Sequence, residues 1–410
     1  MNKIELLAPA GNLERLKVAL TYGADAVYAG GDAFSLRVRA KNFSQDDLAQ
    51  GIAYTHAQNK KFYLTANIIP HNEDLDDFVD FLKHANELGP DALIVSDPGA
   101  VSLAKEFAPQ IPIHISTQAN NVNYATVNFW HKQGASRVVL ARELTLREVK
   151  TIREKTDPSL ELEAFVHGAM CISYSGRCLL SSYMTGRESN SGDCAHPCRW
   201  NYTLEEEKRP GEYFPVFENE RGTFILNSKD MCMIEHIPEL IDAGVTSFKI
   251  EGRVKTEYYV ATVVGAYRRA IDAYLNNPES YQFNPAWMEE LQKVSNRGYT
   301  KGFWLGNPKE NGQEYENGGY FKTYDVAAIA CGTDENGKTT FIQKNKLSVG
   351  DEVEVMVPNE ASFPYTISDI TDTEGNKLLS VPHPMQEFQM DMGRPLPQYA
   401  MIRRKANGGI

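Results

Sequence analysis

The sequence predicts an α/β protein with a TIM-barrel-like (β/α)8 domain followed by a small all-β barrel. Three observations predict this fold. Eight short apolar runs alternate with amphipathic segments over the first 250 residues. Each run is nearly continuous in apolar residues, as buried parallel strands are. Near residue 325 the pattern changes to short alternating strands with turn signals. A doubly wound open sheet is the alternative arrangement of the same units.

The eight predicted strands end in polar or glycine-containing turns. They lie at residues 4–11, 25–31, 61–69, 91–97, 112–119, 136–143, 160–168 and 247–253. Segments between them carry apolar residues at three- and four-residue spacing, which predicts helices. The clearest of these lie at residues 12–24, 44–60, 75–89 and 145–156. Eight such units favour the closed barrel.

These units predict three parts of the chain. The barrel occupies residues 1–275, with a cysteine-rich insertion at 168–225 after the seventh strand. A connecting segment follows at 276–324, and residues 325–410 form the C-terminal β-barrel. The loops after barrel strands build the active face of such folds, so we expect the chemistry in the insertion and its neighbours.

Composition restricts the function classes. The chain has 410 residues, of which 42% are hydrophobic, and a formal net charge of −12. A large core is therefore expected. An acidic protein repels polyanions, so any nucleic acid has to meet a local basic patch. The N-terminal segment lacks the apolar core of a signal peptide, and no apolar run is long enough to cross a bilayer. We therefore expect a cytoplasmic protein without a membrane partner.

Polar side chains recur where the predicted strands end. In parallel barrels these ends meet on one face of the fold. Recurrence across five strands predicts a shared polar pocket, although for any single member a helix cap or a rim ion pair is the simpler interpretation. The candidates are Asn67, Ser116, Gln118, Arg142, Glu143, His167, Lys249, Glu251 and Arg253.

Four of the six cysteines lie within residues 171–198, a glycine- and serine-rich stretch of the insertion. Because cytosolic reductants keep thiols unpaired, this cluster predicts metal binding or catalysis rather than disulfides. Six, fifteen and three residues separate Cys171, Cys178, Cys194 and Cys198 in turn. Only the last pair has the spacing of a zinc knuckle. An iron–sulfur cluster accepts more widely spaced thiolates, so the spacing favours it slightly.

Other interpretations of the cysteines stay open. A nucleophilic cysteine with His167 or His196 as its base needs one thiol and not four. Cys232 lies at the predicted end of the insertion and is a reserve ligand. Cys331 is interpreted as a buried thiol that acts as a small hydrophobe.

Three sequence segments identify a known family. They are "EAFVHGAMCISYSGRCLLSSYMTGRESNSGDCAHPCRW", "LLAPAGNLERLKVALTYGADAVYAG" and "SFKIEGRVK". Together they closely resemble the U32 peptidase family, once called collagenase-like proteases, over essentially the whole chain. The resemblance implies an oxygen-independent hydroxylation, in which prephenate supplies the hydroxyl group and position 5 of the wobble uridine in certain tRNAs receives it. It also implies a [4Fe-4S] cluster on four cysteines, which correspond here to Cys171, Cys178, Cys194 and Cys198.

The implied donor and proton chemistry suggest roles for the pocket residues. Prephenate is a dicarboxylate, and arginine recognises carboxylates at two points. Arg142 and Arg253 are therefore the first candidates, with Arg37 and Arg39 as alternatives, and a surface ion pair is an equal interpretation of each. Other substrate-binding candidates are Asn67, Gln118 and Lys249, and the proton-transfer candidates are Glu143, His167 and Glu251.

The implied tRNA would bind through its anticodon loop. Local basic clusters are found at residues 37–41 and 401–405, and around the insertion at Arg177, Arg187 and Arg199. Tyr183 or Trp200 would stack on an unpaired base. The resemblance leaves room for a related protein subunit as a partner.

Two alternative functions remain. One is a U32-type peptidase, although the sequence contains neither an H-E-x-x-H helix nor a G-x-S-x-G elbow. The only S-x-x-K match, Ser102 to Lys105, lies in a predicted helix, where chance produces such pairs. The other is a non-catalytic, cluster-bearing RNA-binding protein.

Overall fold

Eight parallel strands close into a barrel in the N-terminal part of the chain. The computed structural model describes residues 4–36, 42–171, 178–187, 189–200, 218–219, 222–223, 228–312 and 321–406. The strands of this part are β1 (Glu5–Pro9), β2 (Ala26–Gly30), β3 (Lys61–Ala66), β4 (Ala92–Val95), β5 (Ile113–Ile115), β6 (Ala135–Val139), β7 (Glu161–Ala169), β8 (Glu218–Asn219), β9 (Gly222–Thr223), β10 (Asp230–Cys232), β11 (Ser247–Ile250) and β12 (Tyr299–Thr300).

Strand β11 closes the barrel. It pairs in parallel with β1, where Glu5 lies opposite Ser247, and with β7, where Ala164 lies opposite Phe248. Strands β1 to β7 pair in sequence order between these two contacts. The (β/α)8 prediction is therefore confirmed, and each of the eight predicted runs overlaps one barrel strand.

Helices alternate with the barrel strands. They are α1 (Leu13–Thr21), α2 (Gln45–Ala57), α3 (Leu75–Leu88), α4 (Pro98–Phe107), α5 (Tyr124–Lys132), α6 (Leu146–Glu154), α7 (Leu180–Thr185), α8 (Ile237–Asp242), α9 (Glu257–Asn276) and α10 (Pro285–Gln292). Ser44 and Thr145 begin α2 and α6 with capping boxes, because Asp47 and Glu148 reach back to the cap backbone. Within the described ranges, none of the helices combines the length and apolar character that a membrane crossing requires.

Two short strands extend the barrel sheet beyond the prediction. Strand β10 runs antiparallel to β7, with Asp230 opposite Ala169. Strand β12 then pairs in parallel with β10. The side chains of Asp230 and Arg297 form a buried ion pair at 2.6 Å, which secures this edge. The chain therefore returns from the insertion as part of the sheet, directly beside the strand that it left.

Buried charges fill the lower half of the barrel interior, toward the amino ends of its strands. The Arg137 guanidinium lies 2.5 Å from Glu5 Oε1 and 3.0 Å from Glu163 Oε2. Tyr63 donates its hydroxyl to the other Glu5 oxygen at 2.6 Å. Lys249 Nζ lies 2.6 Å from Glu163 Oε1. These groups compensate one another in a space that aliphatic side chains usually occupy.

The C-terminal part is an antiparallel sheet that curves into a half-barrel, so the prediction of a small all-β barrel is confirmed as a fold class. Its strands are β13 (Tyr324–Thr333), β14 (Lys338–Gln343), β15 (Leu347–Ser348), β16 (Glu352–Met356), β17 (Phe363–Thr366), β18 (Ile370–Thr371), β19 (Lys377–Leu378), β20 (Ser380–Val381), β21 (Glu387–Asp391) and β22 (Met401–Lys405). The main sheet has the order β17-β16-β22-β13-β14-β21-β18-β19. It encloses its own apolar core, in which Phe341 stacks on Phe388 at 5.5 Å.

The structure corrects the interpretation of Cys331. The thiol is exposed and not buried. The pairing of β13 with β14 shifts at this position, because Ala330 lies opposite Phe341 and Gly332 opposite Thr340. Cys331 is the extra residue of this β-bulge, and the bulge turns its side chain out of the core.

The basic segment 401–405 also lies differently from the expectation. Arg403 is fully buried between the two parts of the chain, and its guanidinium lies 2.7 Å from Glu290 of α10 and 2.8 Å from Glu354 of β16. Arg404 pairs with Asp351 at 3.5 Å. This leaves Lys405 as the exposed base of the segment. The cluster joins the half-barrel to the barrel and is not a basic surface for tRNA.

Candidate active site

A cavity of about 170 Å³, with both polar and apolar lining, opens at the carboxyl ends of the barrel strands. Side chains from the strand ends and from the insertion line it together. The lining includes these predicted residues: Asn67, Ser116, Gln118, Arg142, Lys249, Glu251, Arg253, Cys171, Cys178, Cys194 and Cys198. These residues line one cavity because closure of the barrel brings the ends of distant strands to one face.

Two predicted proton-transfer residues lie elsewhere. Glu143 and His167 are not among the described residues that line the cavity. His167 is buried behind the barrel wall, with its ring centroid 5.5 Å from that of Tyr267 and 5.3 Å from that of Tyr299. Predicted substrate residue Arg37, with Arg39 and Arg177, lies outside the described residues.

A β-bulge places His167 on the outer face. Along the β7–β11 ladder, Phe165 lies opposite Lys249 and His167 lies opposite Ile250, so Val166 is an extra residue. The side-chain alternation therefore reverses after Phe165. Neither ring nitrogen of His167 has a hydrogen-bond partner among the described residues. Burial lowers the pKa of His167 to about 3. The expectation that His167 shares the polar pocket is corrected by this geometry.

Arg142 is held flat against one wall of the cavity. One guanidinium nitrogen lies 3.0 Å from Glu251 Oε2, and another donates to the carbonyl oxygen of Ala169 at 2.9 Å. The guanidinium carbon is 3.9 Å from the centroid of the Phe165 ring. These contacts fix the plane of the group, as two-point recognition of a carboxylate requires.

Arg253 reaches the cavity from the segment after β11, whereas Arg142 comes from the segment after β6. It donates to Ser35 Oγ at 2.6 Å and to Thr65 Oγ1 at 3.0 Å. Gly11 makes room for its backbone, because a Cβ atom there would lie 2.0 Å from the Arg253 carbonyl oxygen. Neither Ser35 nor Thr65 was a predicted site residue; Ser35 follows β2 and Thr65 lies within β3, and neither position carries a local signal of a site.

Lys249 connects the cavity with the buried ionic cluster below it. Its ammonium nitrogen lies 4.4 Å from the Tyr28 ring centroid and 2.6 Å from Glu163 Oε1. Burial lowers the pKa of Lys249, and the Glu163 carboxylate opposes part of that change. Glu163 was not a predicted site residue, although a glutamate directly before the apolar run at residues 164–166 was a visible signal.

Amides and hydroxyls form a further part of the lining. Asn67 donates from Nδ2 to Ser116 Oγ at 3.4 Å, and the backbone N–H of Gln118 donates to the same oxygen at 3.2 Å. Ser116 thereby caps the 3-10 turn Thr117–Ala119. This region therefore offers neutral hydrogen-bond donors and acceptors beside the cationic donors Arg142 and Arg253.

The insertion is folded around its own hydrogen bonds. Ser181 of α7 accepts from the N–H of Ala195 at 2.9 Å, and Ser189 donates to the carbonyl oxygen of Cys178 at 2.8 Å. The N–H of His196 donates to Cys194 Sγ at 3.4 Å. Contacts of this kind bring three distant parts of the insertion to the cavity.

The four cysteines of the insertion share the cavity as free thiols. Among the described residues, no group of three or more histidine, cysteine, aspartate or glutamate side chains is arranged to hold a metal ion. A four-iron cluster separates its thiolates more widely than a single ion does, because sulfide bridges lie between the irons. In this structure the four thiols line one cavity.

Cys232 does not take part in this arrangement. Its side chain is fully buried, with Sγ 3.8 Å from the Tyr267 hydroxyl, and it does not line the cavity. Burial raises the pKa of the thiol to about 11. Strand β10 directs Cys232 into the apolar layer beside α9, so its interpretation as a reserve ligand is corrected.

Exposed aromatic rings are present on the insertion. The Tyr183 side chain is 87% exposed on α7, and Trp200 is 41% exposed just after Cys198. Arg187 pairs with Asp193 at 2.7 Å, which offsets its charge locally. The described part of the insertion therefore presents two exposed aromatic rings, and its Arg187 is paired.

Fold and site together define a TIM-barrel protein whose thiol-lined polar cavity lies at the carboxyl ends of the strands. The model of peptidase family U32 matches residues 11–314, and that of the peptidase family U32 C-terminal domain matches residues 322–403. The chain belongs to the U32 peptidase family.

Three relatives illustrate the activities associated with this family. The tRNA hydroxylation protein P1 of Bacillus subtilis is 41% identical over 98% of this chain and 95% of its own length. The tRNA hydroxylation protein P of Escherichia coli is 40% identical over 100% of this chain and 98% of its own length. A protein named collagenase, from Porphyromonas gingivalis, is 33% identical over 90% of each chain.

Proposed function

We propose that this protein hydroxylates position 5 of the wobble uridine in tRNA, with prephenate as the hydroxyl donor and an iron–sulfur cluster in its site. The observation that carries the proposal is the full-length similarity, at 40–41% identity, to two tRNA hydroxylation proteins. The cavity supports it, because thiols and cationic side chains line the same space.

The cationic part of the cavity suits a dicarboxylate. Arg142, Lys249 and Arg253 all line it, and Arg142 has a fixed guanidinium plane. Carboxylates bind such planes through two parallel N–H···O bonds. In this proposal the two arginines orient the donor, while Asn67 and Gln118 contact its neutral oxygens.

The cysteine part of the cavity would hold the cluster through Cys171, Cys178, Cys194 and Cys198. A four-iron cluster with four thiolate ligands supplies electron transfer or structural support, since each iron then has its protein ligand. Replacing hydrogen by hydroxyl on the base is a net oxidation, so the donor or a redox centre has to accept electrons. The N–H group that donates to Cys194 Sγ would stabilise that thiolate.

Glu251 is the carboxylate placed to move a proton in the cavity. It lies beside Arg142 and lines the cavity, whereas Glu143 does not. A base in the cavity has to accept the proton that leaves the uridine ring. Tyr183 and Trp200 would stack on bases of the anticodon loop, because each single-stranded base exposes a π face.

The six cysteines of the chain provide a matched experiment. The chain and its single Cys→Ser variants are produced in bacteria whose own tRNA lacks hydroxylated uridine. Iron and sulfide are measured after anaerobic purification, and 5-hydroxyuridine in tRNA is measured by mass spectrometry. We expect each of the substitutions Cys171→Ser, Cys178→Ser, Cys194→Ser and Cys198→Ser to lower both the bound iron and the hydroxylation of tRNA. Variants Cys232→Ser and Cys331→Ser should retain both, because neither thiol lines the cavity.

Two outcomes would contradict the proposal. One is wild-type protein that yields no 5-hydroxyuridine. The other is an iron content that the four cavity substitutions leave unchanged. Peptide hydrolysis that survives Cys171→Ser and Cys178→Ser, without any hydroxylation of tRNA, would favour the peptidase alternative.

A further inference from the structure

Lys249 has surroundings that ion pairing alone does not require. Among the described residues that line the cavity it is the one lysine, and its side chain is 5% exposed. Its nitrogen is flanked by the rings of Tyr28 at 4.4 Å and Phe165 at 5.4 Å. Aromatic walls exclude water from an amine while the cavity leaves it open to a ligand.

Glu163, the counter-ion of Lys249, also forms an ion pair with Arg137. Glu163 Oε1 accepts from Lys249 at 2.6 Å, while Oε2 pairs with Arg137 at 3.0 Å. Glu163 Oε1 is the carboxylate oxygen within hydrogen-bond distance of the Lys249 nitrogen, so it is the group that can accept a proton from Lys249. The barrel therefore places an amine and its proton acceptor at the base of one cavity.

We propose that Lys249 forms an imine with the carbonyl carbon of a 2-oxo acid bound in this cavity. The inference rests on the proposed function, because the side chain of prephenate is such a 2-oxo acid. Lys249 is then a catalytic residue that captures the donor covalently. Arg142 and Arg253 would hold the donor carboxylates while the amine reacts.

The step balances without an oxidant or reductant. Lys249 transfers one ammonium proton to Glu163, and its lone pair attacks the carbonyl carbon. The C–N bond forms as the C–O π bond breaks, and the oxygen takes up first the proton held by Glu163 and then one from the attacking nitrogen. It leaves as water when the C=N bond closes, and the product is a protonated imine beside the Glu163 carboxylate. Hydrolysis reverses each change and releases the amine. Burial favours the neutral, nucleophilic form of Lys249, since it lowers the pKa of this group.

Borohydride trapping tests the inference, because the reagent reduces an imine to a stable secondary amine. The anaerobically purified, full-length protein is incubated with pyruvate or with prephenate, reduced, digested and mapped by mass spectrometry. We expect the reduced adduct on the peptide that contains Lys249 with either acid. The adduct should be lost in Lys249→Arg and retained in Lys255→Arg, whose lysine donates to the Ser295 carbonyl oxygen and does not line the cavity.

The outcomes separate this inference from the proposed function. No adduct at Lys249, under conditions where prephenate raises the melting temperature of the protein, would overturn the imine. Because peptide mapping of the wild type decides this point, the test stands even where Lys249→Arg fails to fold. An adduct in a protein that makes no 5-hydroxyuridine would retain the imine and reject the proposed reaction. Hydroxylation of tRNA by a protein that forms no adduct would reject the imine and retain the proposed reaction.

Discussion

Ionisable side chains in this protein take opposite roles within a few residues of one another. On β7, Glu163 faces the barrel interior and joins the ionic cluster, whereas His167 faces the tyrosines of the outer layer. The same strand therefore presents one charged group that is fully paired and one that is neutral. A charged His167 would be costly in that environment, because neither ring nitrogen has a described partner.

This environment makes the stability dependent on pH. His167 has a pKa of about 3 in the folded protein, below the ordinary value of 6.5. Between these values the unfolded chain binds the extra proton, so the free energy of unfolding falls as pH falls. We expect His167 to contribute a loss of about 2 kcal/mol between pH 8 and pH 5. Urea unfolding across this range measures it.

Variant His167→Phe should lack this part of the pH dependence, since it keeps a ring in place of the imidazole. Variant His56→Gln provides the control, because His56 lies at the surface beside Asp91. An unchanged pH dependence in His167→Phe would show that His167 is already protonated, or solvated, in the native state.

At the scale of the elements, strand β7 connects the sheet, the insertion and the cavity. The last two residues of the strand are Gly168, with φ +108°, and Ala169, whose carbonyl oxygen accepts a hydrogen bond from Arg142. A Cβ atom on Gly168 would lie 2.6 Å from the Glu251 carbonyl oxygen. The close approach of β7 to the segment after β11 thus depends on a missing side chain.

Two glycines separate the effect of this contact from that of backbone strain. Gly134 has φ +85°, and a Cβ atom there would have no described heavy atom within 4 Å, so Gly134→Ala adds strain alone. That strain costs about 1–2 kcal/mol. We expect Gly168→Ala to lower the free energy of unfolding by more than this and to reduce hydroxylation, because Glu251 has to move. Equal losses in the two variants would contradict the steric interpretation.

Two of the erroneous placements, those of His167 and Cys331, have one structural cause. His167 and Cys331 each lie at a β-bulge, where one extra residue reverses the alternation of side chains. The apolar pattern identified the strand that carries His167, and for the region of Cys331 it predicted short strands without placing them individually. A bulge depends on how the residues of one strand match those of its partner, so the periodic pattern within a single strand could not place these two side chains.

At the scale of the whole molecule, Arg403 joins the half-barrel to the barrel. It is fully buried against Glu290 and Glu354, and the Tyr22 hydroxyl nearby donates to the Tyr399 carbonyl oxygen at 2.9 Å. Met356, Tyr399 and Met401 also belong to the apolar core of the barrel. The two parts therefore share a core as well as ion pairs.

Neighbouring arginines test the strength of this connection. We expect Arg403→Ala to lower the free energy of unfolding by about 3 kcal/mol, because Glu290 and Glu354 lose their buried cation and keep Lys293 as a partner. Arg404→Ala should cost less than about 1 kcal/mol, since the Arg404–Asp351 pair is partly exposed. Urea unfolding measures both, and a second transition would indicate that the parts unfold separately. Similar losses in the two variants would contradict the interface role of Arg403.

By itself, the sequence determined the elements and the chemistry at their ends. Apolar runs of strand length predicted eight barrel strands, and polar residues such as Arg142 and Arg253 after those runs predicted a shared pocket. These features are local, because strand and helix periods repeat within a few residues. The cysteine spacing likewise indicated a metal group without assigning one.

Only the tertiary structure decided which distant residues meet. Closure of β11 onto β1 and β7 brings Arg253 to Ser35 and Thr65, and Lys249 to Glu163. The tertiary structure also shows that Arg403 is an interior residue, although the sequence of its segment predicts a basic surface. These contacts join residues that are far apart in the chain, so no local pattern contains them.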